Sequence, residues 1–202
     1  MADSEVAAKV KQPIPPDEEE RIKTLHALDL MDATFEPAFQ RITSLCCQIF
    51  DVPIALVSLV DTDKQFFKSN RGLGDVRETH RDLAFCAHAI MPEAEDVFVV
   101  PDATADDRFR ANGLVTDWPH IRFYAGARIG CVGEDGKEHF IGTLCIIDTC
   151  VERGGICGAR DDFDDTKRVM LEELAAMTKD AIELRTFRRR DAPAAKKRKA
   201  SP

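Results

Sequence analysis

A chain of 202 residues with 44% hydrophobic and 32% charged side chains has the make-up of one globular domain with tails. Such a domain buries roughly two thirds to three quarters of its unfolded surface, and the composition excludes fibrous repeats and wholesale disorder. The formal net charge of −8 is unevenly placed, because Arg185 to Pro202 hold eight Lys/Arg against one Asp, which leaves −15 on residues 1–184; an acidic body repels phosphate backbones, so nucleic acid is excluded as a partner of the folded part.

Residues 1–16 contain Pro13, Pro15 and Pro16 and read as a flexible leader. Asp17 is placed to cap a helix running to about Leu28, with Glu18, Glu19 and Glu20 at the positive end of its dipole and Ile22, Leu25 and Leu28 as its apolar stripe. A second helix is predicted from Phe35, Phe39, Ile42, Cys46 and Ile49, which recur at helical steps. VPIALVSLVD and KQFFKSN, joined by Asp61 to Asp63, form a hairpin, and Asn70 to Val76 lead away as a loop with Gly72 and Gly74. A short helix is expected from about Asp82 to Met91, then a third strand in VFVVPD and an irregular segment in ATADDRFRANGLVTDWPH. IRFYAGARIGCV and EHFIGTLCIIDT flank Asp135-Gly136 as a second hairpin, and a long amphipathic helix from Phe163 to Arg190 carries Met170, Leu174, Met177, Ala181 and Leu184. The fold class is therefore α+β around a mainly antiparallel sheet, with a leader at 1–16, a domain at 17–190 and a disordered basic tail at 191–202.

Seven cysteines stand at 46, 47, 86, 131, 145, 150 and 157, with no CxxC pair, behind a polar, acidic N terminus. This pattern predicts reduced thiols in a cytoplasmic protein. The longest apolar run, VPIALVSLV, has nine residues, well short of the ~20 that a membrane-spanning helix requires. The basic run Lys196, Lys197, Arg198 and Lys199 reads as a nuclear-import signal, beside a solvated tail as the plain alternative. The histidines are scattered singly and the cysteines lack zinc spacing, so no metal is expected.

The words FDVPIALVSLVDTDKQFFKSNRGL, RDLAFCAHAI, VVPDATADDRFRAN, IRFYAGARI and IGTLCIIDT, in this order, resemble the GAF domain of sensor kinases and cyclic-dinucleotide signalling proteins. The likeness runs from about Leu25 to Leu184. It implies an antiparallel sheet with the N- and C-terminal helices on one face and a small-molecule pocket on the other. DDFDDTK lacks the ordered Asn and Lys of the cyclic-nucleotide subfamily, and the bilin-attachment word is missing. No catalytic or DNA-binding module flanks these words, so a solitary, non-enzymatic sensory module acting in signal transduction is expected.

Carried onto this sequence, the resemblance implies a ligand site of Phe66, Ser69, Arg81, Asp82, Phe85, Cys86, His88, Phe123 and Tyr124, for a small molecule and cofactor that the sequence does not name. The plain reading of the same residues is that Arg81 and Asp82 hold loops while Phe85 and Phe123 are core. Cys86 and His88 stand two residues apart, about 200° around a helix, so they point away from each other. Asp102, Asp107, Arg108 and Asn112 are expected to staple their loop. Ile182 and Phe187 widen the apolar face of the last helix, which predicts a homodimer through the terminal helices. Two other readings stand beside the sensor: a thiol redox enzyme of the free methionine sulfoxide reductase kind built on Cys86, and a dimerising adaptor whose pocket is vestigial.

Overall fold

The computed structural model describes residues 12–32, 34, 36–149 and 160–191. Phe35, Cys150, Cys157, the first eleven residues and the tail with Lys196, Lys197, Arg198 and Lys199 lie outside the described residues. Within the leader, Gln12 is held down, its side-chain amide donating to the Asp82 carbonyl at 2.8 Å.

Helix α1 spans Glu18–Ala27 with three acids in its first turn, as the dipole favours. Asp17 stands at its N-cap, but its carboxylate makes no cap bond. It accepts instead from His139 Nδ1 at 2.6 Å, across 122 residues of sequence. Helix α2 spans Pro37–Phe50, with Pro37 at the position where a missing N–H costs nothing. Phe39, Ile42, Cys46 and Phe50 make its buried stripe, while Ile49, expected in that stripe, is exposed. Strands β1 (Ile54–Val60), β2 (Lys64–Arg71), β3 (Glu78–His80), β4 (Val97–Val100), β5 (Ile121–Val132) and β6 (Glu138–Thr149) form one antiparallel sheet in the order β3-β2-β1-β6-β5-β4. The sequence assigns no element to the three residues of β3. They are polar, lie at the sheet edge and are too few to show a period.

The segment read as one helix from Asp82 to Met91 is two pieces: a 3-10 turn at Arg81–Leu83, then helix α3 of only four residues, Cys86–Ala89. Ala84 between them is extended (φ −79°, ψ 109°), which lets the chain change direction before Cys86. A second four-residue helix, α4 (Gly113–Thr116), is capped by Asn112, and α5 runs from Asp165 to Asp191.

Helices α1, α2 and α5 cover one sheet face, where Leu25, Phe39, Ile42, Leu171 and Ile182 pack on Val57, Leu59, Ala125 and Leu144. The opposite face, carrying Leu56, Phe67, Tyr124 and Ile147, is covered by α3 and the irregular segments around α4. Because both faces are buried, all seven residues of β1 are apolar or sealed from solvent, and the strand lacks the polar alternation of a half-exposed sheet. Pairing of β1 with β2 slips at Val57/Ser58 and leaves Lys68 without a partner residue. Both Lys68 and Ser69 therefore turn toward the helices: Ser69 Oγ lies 2.9 Å from Thr43 Oγ1 of α2, and Lys68 Nζ is 2.7 Å from Glu36 and also pairs with Asp32.

His139 ties α1 to the β5–β6 hairpin. Its Nε2 donates to Asp135 at 3.1 Å while Nδ1 serves Asp17, so both ring nitrogens face carboxylates. Burial alone would depress this imidazole, but the hydrogen bonds and charges of Asp17 and Asp135 outweigh it and hold the pKa above its ordinary value. A raised folded-state value means that the stabilisation is whole below the unfolded pKa of ~6.5 and is lost as pH rises through the folded value. Thermal melts between pH 6 and 9 should therefore show wild type losing about 1 kcal/mol, or a few degrees, relative to His139→Gln. Parallel pH profiles for the two proteins would refute the linkage.

Candidate functional site

Helix α3 drops Cys86 onto the sheet, where its sulfur accepts from Thr143 Oγ1 at 3.1 Å, Tyr124 OH at 3.2 Å and Gln65 Nε2 at 3.4 Å. The hydroxyl of Tyr124 finds its place because the residue two positions on is glycine: a Cβ at Gly126 would lie 2.3 Å from it. Burial opposes ionisation of Cys86, yet the donors around it, Cys145, Thr143 and Tyr124 among them, pull its pKa below the ordinary thiol range. The same burial pushes the neighbouring Cys145 well up. The result is a polar knot of a thiol, hydroxyls and an amide, sealed inside an apolar layer.

Beside this knot lies a cavity of about 40 Å³. Its inner wall is Leu56, Phe67, Phe85, Tyr124 and Ile147, with Gln65 and Thr79 as polar members. Leu73 and Val76 of the glycine loop form one lip, and Leu114, Trp118 and Pro119 of the α4 segment form the other. Gln65 and Tyr124 belong to both the wall and the knot, so they connect the cavity directly to Cys86.

Of the residues carried over from the sequence, Phe85 and Tyr124 line this cavity and Cys86 sits behind it. Phe66, Ser69 and Phe123 do not: Phe66 and Phe123 belong to the helix-covered face because neighbouring residues of a strand point to opposite sides and Phe67 and Tyr124 take the cavity side, while Ser69, two residues on from Phe67, is turned to the helices by the register slip at Lys68. Arg81 is spent on structure, pairing with Glu18 of α1 and donating to the Asp61 carbonyl at 3.0 Å. Asp82 lies beside His80, 3.3 Å from its Nδ1, and its carbonyl receives Gln12. His88 leaves α3 on another side, stacked on Phe98 at 6.2 Å and edge-on to Phe109 at 4.9 Å, in a surface groove with Arg108 and Arg168. Burial and the Arg108 charge lower its pKa to about 4, so at neutral pH it is an uncharged ring.

The irregular segment is stapled by its own side chains. Asp102 accepts from the Thr104 backbone at 2.9 Å, Asp106 pairs with Arg108 at 2.6 Å, exposed Asp107 with Arg110 at 3.2 Å, and Asn112 Nδ2 reaches the Leu83 carbonyl at 3.2 Å. That last bond fixes the α4 lip to the turn ahead of α3. Gln65, Thr79 and Trp118 carried no sequence signal for the site, since each sits in a segment whose partner is set only by long-range pairing. Among the described residues no cluster of His, Cys, Asp and Glu is arranged to hold a metal ion, and no helix is long and apolar enough to cross a membrane.

The fold and sequence agree with known proteins. A segment of a cyclic di-GMP phosphodiesterase of Pseudomonas aeruginosa is 40% identical over 136 residues, covering 67% of this chain and 22% of that protein. The chain thus matches only about a fifth of that relative's length. The crystal structure of the GAF domain from an Acinetobacter phosphoenolpyruvate-protein phosphotransferase superposes with a TM-score of 0.54 at 13% identity, covering 81% of this chain and 93% of that one. A GAF domain/HD domain protein from Geobacter sulfurreducens gives 0.51 at 11% identity, covering 78% and 98%. These two share the fold. With residues 34–182 matching the GAF domain family as a whole, this chain belongs to the GAF domain family.

Proposed function

We propose that the domain is a non-enzymatic sensory or regulatory module of signal transduction that binds a small molecule in the cavity between the sheet and α3. The observation that carries this reading is the cavity itself: it is lined mainly by apolar side chains, and two of its wall residues hold the buried Cys86 through hydrogen bonds. A ligand that favours one packing of that wall shifts the population of α3 and its neighbours. The likeness to part of a cyclic di-GMP phosphodiesterase supports a signalling context. Against the thiol-enzyme reading, Cys86 is 1% exposed and the histidine nearest in sequence is turned into the outer groove.

Native mass spectrometry of the chain purified gently from its own cells tests the reading. One molecule retained by wild type and absent from Ile147→Phe, which fills the cavity, is the expected result. Equal retention by both proteins, or by neither, would count against it.

Output through a second copy is part of the same proposal. Leu45 and Ile49 of α2, with Met170, Met177, Leu184 and Phe187 of α5, leave apolar side chains exposed on the second and last helices, three of them at seven-residue steps. Sedimentation velocity should give a dimer for wild type and a monomer for Met177→Glu; a wild-type monomer at high concentration would remove this part of the proposal.

A further inference from the structure

We infer that the cavity accepts a small uncharged molecule, an apolar ring or chain with one hydrogen-bonding group, and rejects anions. The inference rests on the ligand-binding reading above and adds the chemical class. Of the thirteen residues that line the cavity among those described, none bears a charge. Three guanidinium groups of the same region have partners outside the cavity: Arg81 through Nη1 with Glu18, its Nε and Nη2 being buried without a partner, Arg108 with Asp106, and Arg122 with the Val115 carbonyl at 3.0 Å. A carboxylate or phosphate entering here would lose its water without meeting a counter-charge, a penalty that apolar contacts of this size do not offset.

The polar inventory of the wall narrows the class further. The Tyr124 hydroxyl and the Gln65 amide nitrogen already donate to Cys86. The Thr79 hydroxyl is shielded from solvent and has no hydrogen-bond partner. A buried hydroxyl left unmatched is destabilising, so a ligand that bonds to it recovers that loss. One free hydroxyl facing an apolar chamber matches an alcohol, phenol or carbonyl on a hydrocarbon frame.

Size sets how such a molecule enters. At about 40 Å³ the chamber holds only a few heavy atoms, against roughly 150 Å³ for an engineered cavity that takes up benzene in another protein. An aromatic ring therefore enters by displacing the lip. Trp118 is the wall residue suited to move, since its side chain is 56% exposed and it follows the short helix α4. It is also the single tryptophan of the chain, so its emission reports the lip directly.

The test compares benzyl alcohol with benzoate, which share a ring and differ in charge, on the full chain by Trp118 fluorescence and thermal shift. Benzyl alcohol should shift the emission saturably and raise the melting temperature, with benzoate and cyclic di-GMP at least tenfold weaker. Thr79→Val should weaken benzyl alcohol about fivefold and leave benzene unchanged, while Ile147→Phe should abolish both. Saturable binding of benzoate or cyclic di-GMP that Ile147→Phe removes would overturn the neutral class and leave the ligand-binding reading standing. Absence of saturation with benzyl alcohol, phenol and benzene would also overturn the inference; the binding reading itself then stands or falls on the co-purified molecule.

Discussion

Lys68→Met is expected to lower the unfolding free energy by about 3 kcal/mol, the lower end for breaking a buried ion pair from one side. The Lys68 side chain is 1% exposed and sits between Asp32 and Glu36. Arg185 of α5 grips the same two carboxylates, at 3.0 Å and 2.7 Å, and the Leu28 carbonyl at 3.0 Å. The network thus binds the α1–α2 connection and the C-terminal helix to β2. Without the ammonium, the two carboxylates are left with Arg185 and, 3.6 Å from Asp32, the half-exposed Arg189; their partial exposure to water is what keeps the loss near the lower bound. In a chain of this size the melting temperature should drop by about 6–12 °C. Burial raises Asp32, but Lys68 and Arg185 outweigh it and lower its pKa. A depressed carboxylate stabilises above its unfolded pKa of ~3.9 and stops doing so as pH falls through the folded value. The gap between wild type and variant should therefore close in acid. Adding Glu36→Gln to Lys68→Met should cost less than the sum of the single changes; full additivity, or a single-variant shift under 2 °C, would show that the network is dispensable.

Phe85→Ala should cost about 3–5 kcal/mol and make the protein more responsive to benzene than wild type. The Phe85 ring is 3% exposed, stacks on Phe109 with centroids 4.0 Å apart and planes 9° from parallel, and lies 5.2 Å from Tyr124. Its removal forfeits both contacts and joins its volume to the existing chamber, since the ring is already part of the wall. A dry apolar void of that enlarged size binds small aromatics, and a ligand that binds only the folded state raises stability with its concentration. Millimolar benzene should thus raise the melting temperature of Phe85→Ala. Phe66→Ala supplies the contrast, because Phe66 is also buried but on the helix-covered face. It should lose comparable stability and respond to benzene no more than wild type does. Rescue of both variants alike, or of neither, would mean that Phe85 does not bound the cavity.

Local rules account for much of the architecture. The Phe39, Ile42, Cys46 spacing made α2 visible, and Asp135-Gly136, where Gly136 takes φ +77°, marked the turn between β5 and β6. The acids at 161–165 and arginines at 185–190 bracketed α5 as its dipole requires. The site was legible only in part. Phe66-Phe67 and Phe123-Tyr124 are adjacent aromatic pairs, and in each pair one ring packs under the helices while its neighbour lies on the cavity face. A sheet covered on both sides leaves no polar alternation to tell the two apart. The unpaired Lys68 in β2 then turns two successive side chains to one face, against the period of two.

The kind and order of nearly all the elements and the α+β class follow from spacing and turns that neighbours along the chain carry, and the family from the resemblance of its words. Tertiary structure alone decided the partners of the polar groups. Asp17, which local rules make a helix cap, goes to His139; Arg81 goes to Glu18; Cys86 meets Tyr124 and Thr143 from strands that follow it by 38 and 57 residues. A buried hydrogen bond is satisfied by whatever donor the packed layers bring within about 3 Å, and that is fixed by strand register and by which face a side chain takes, not by its neighbours in sequence.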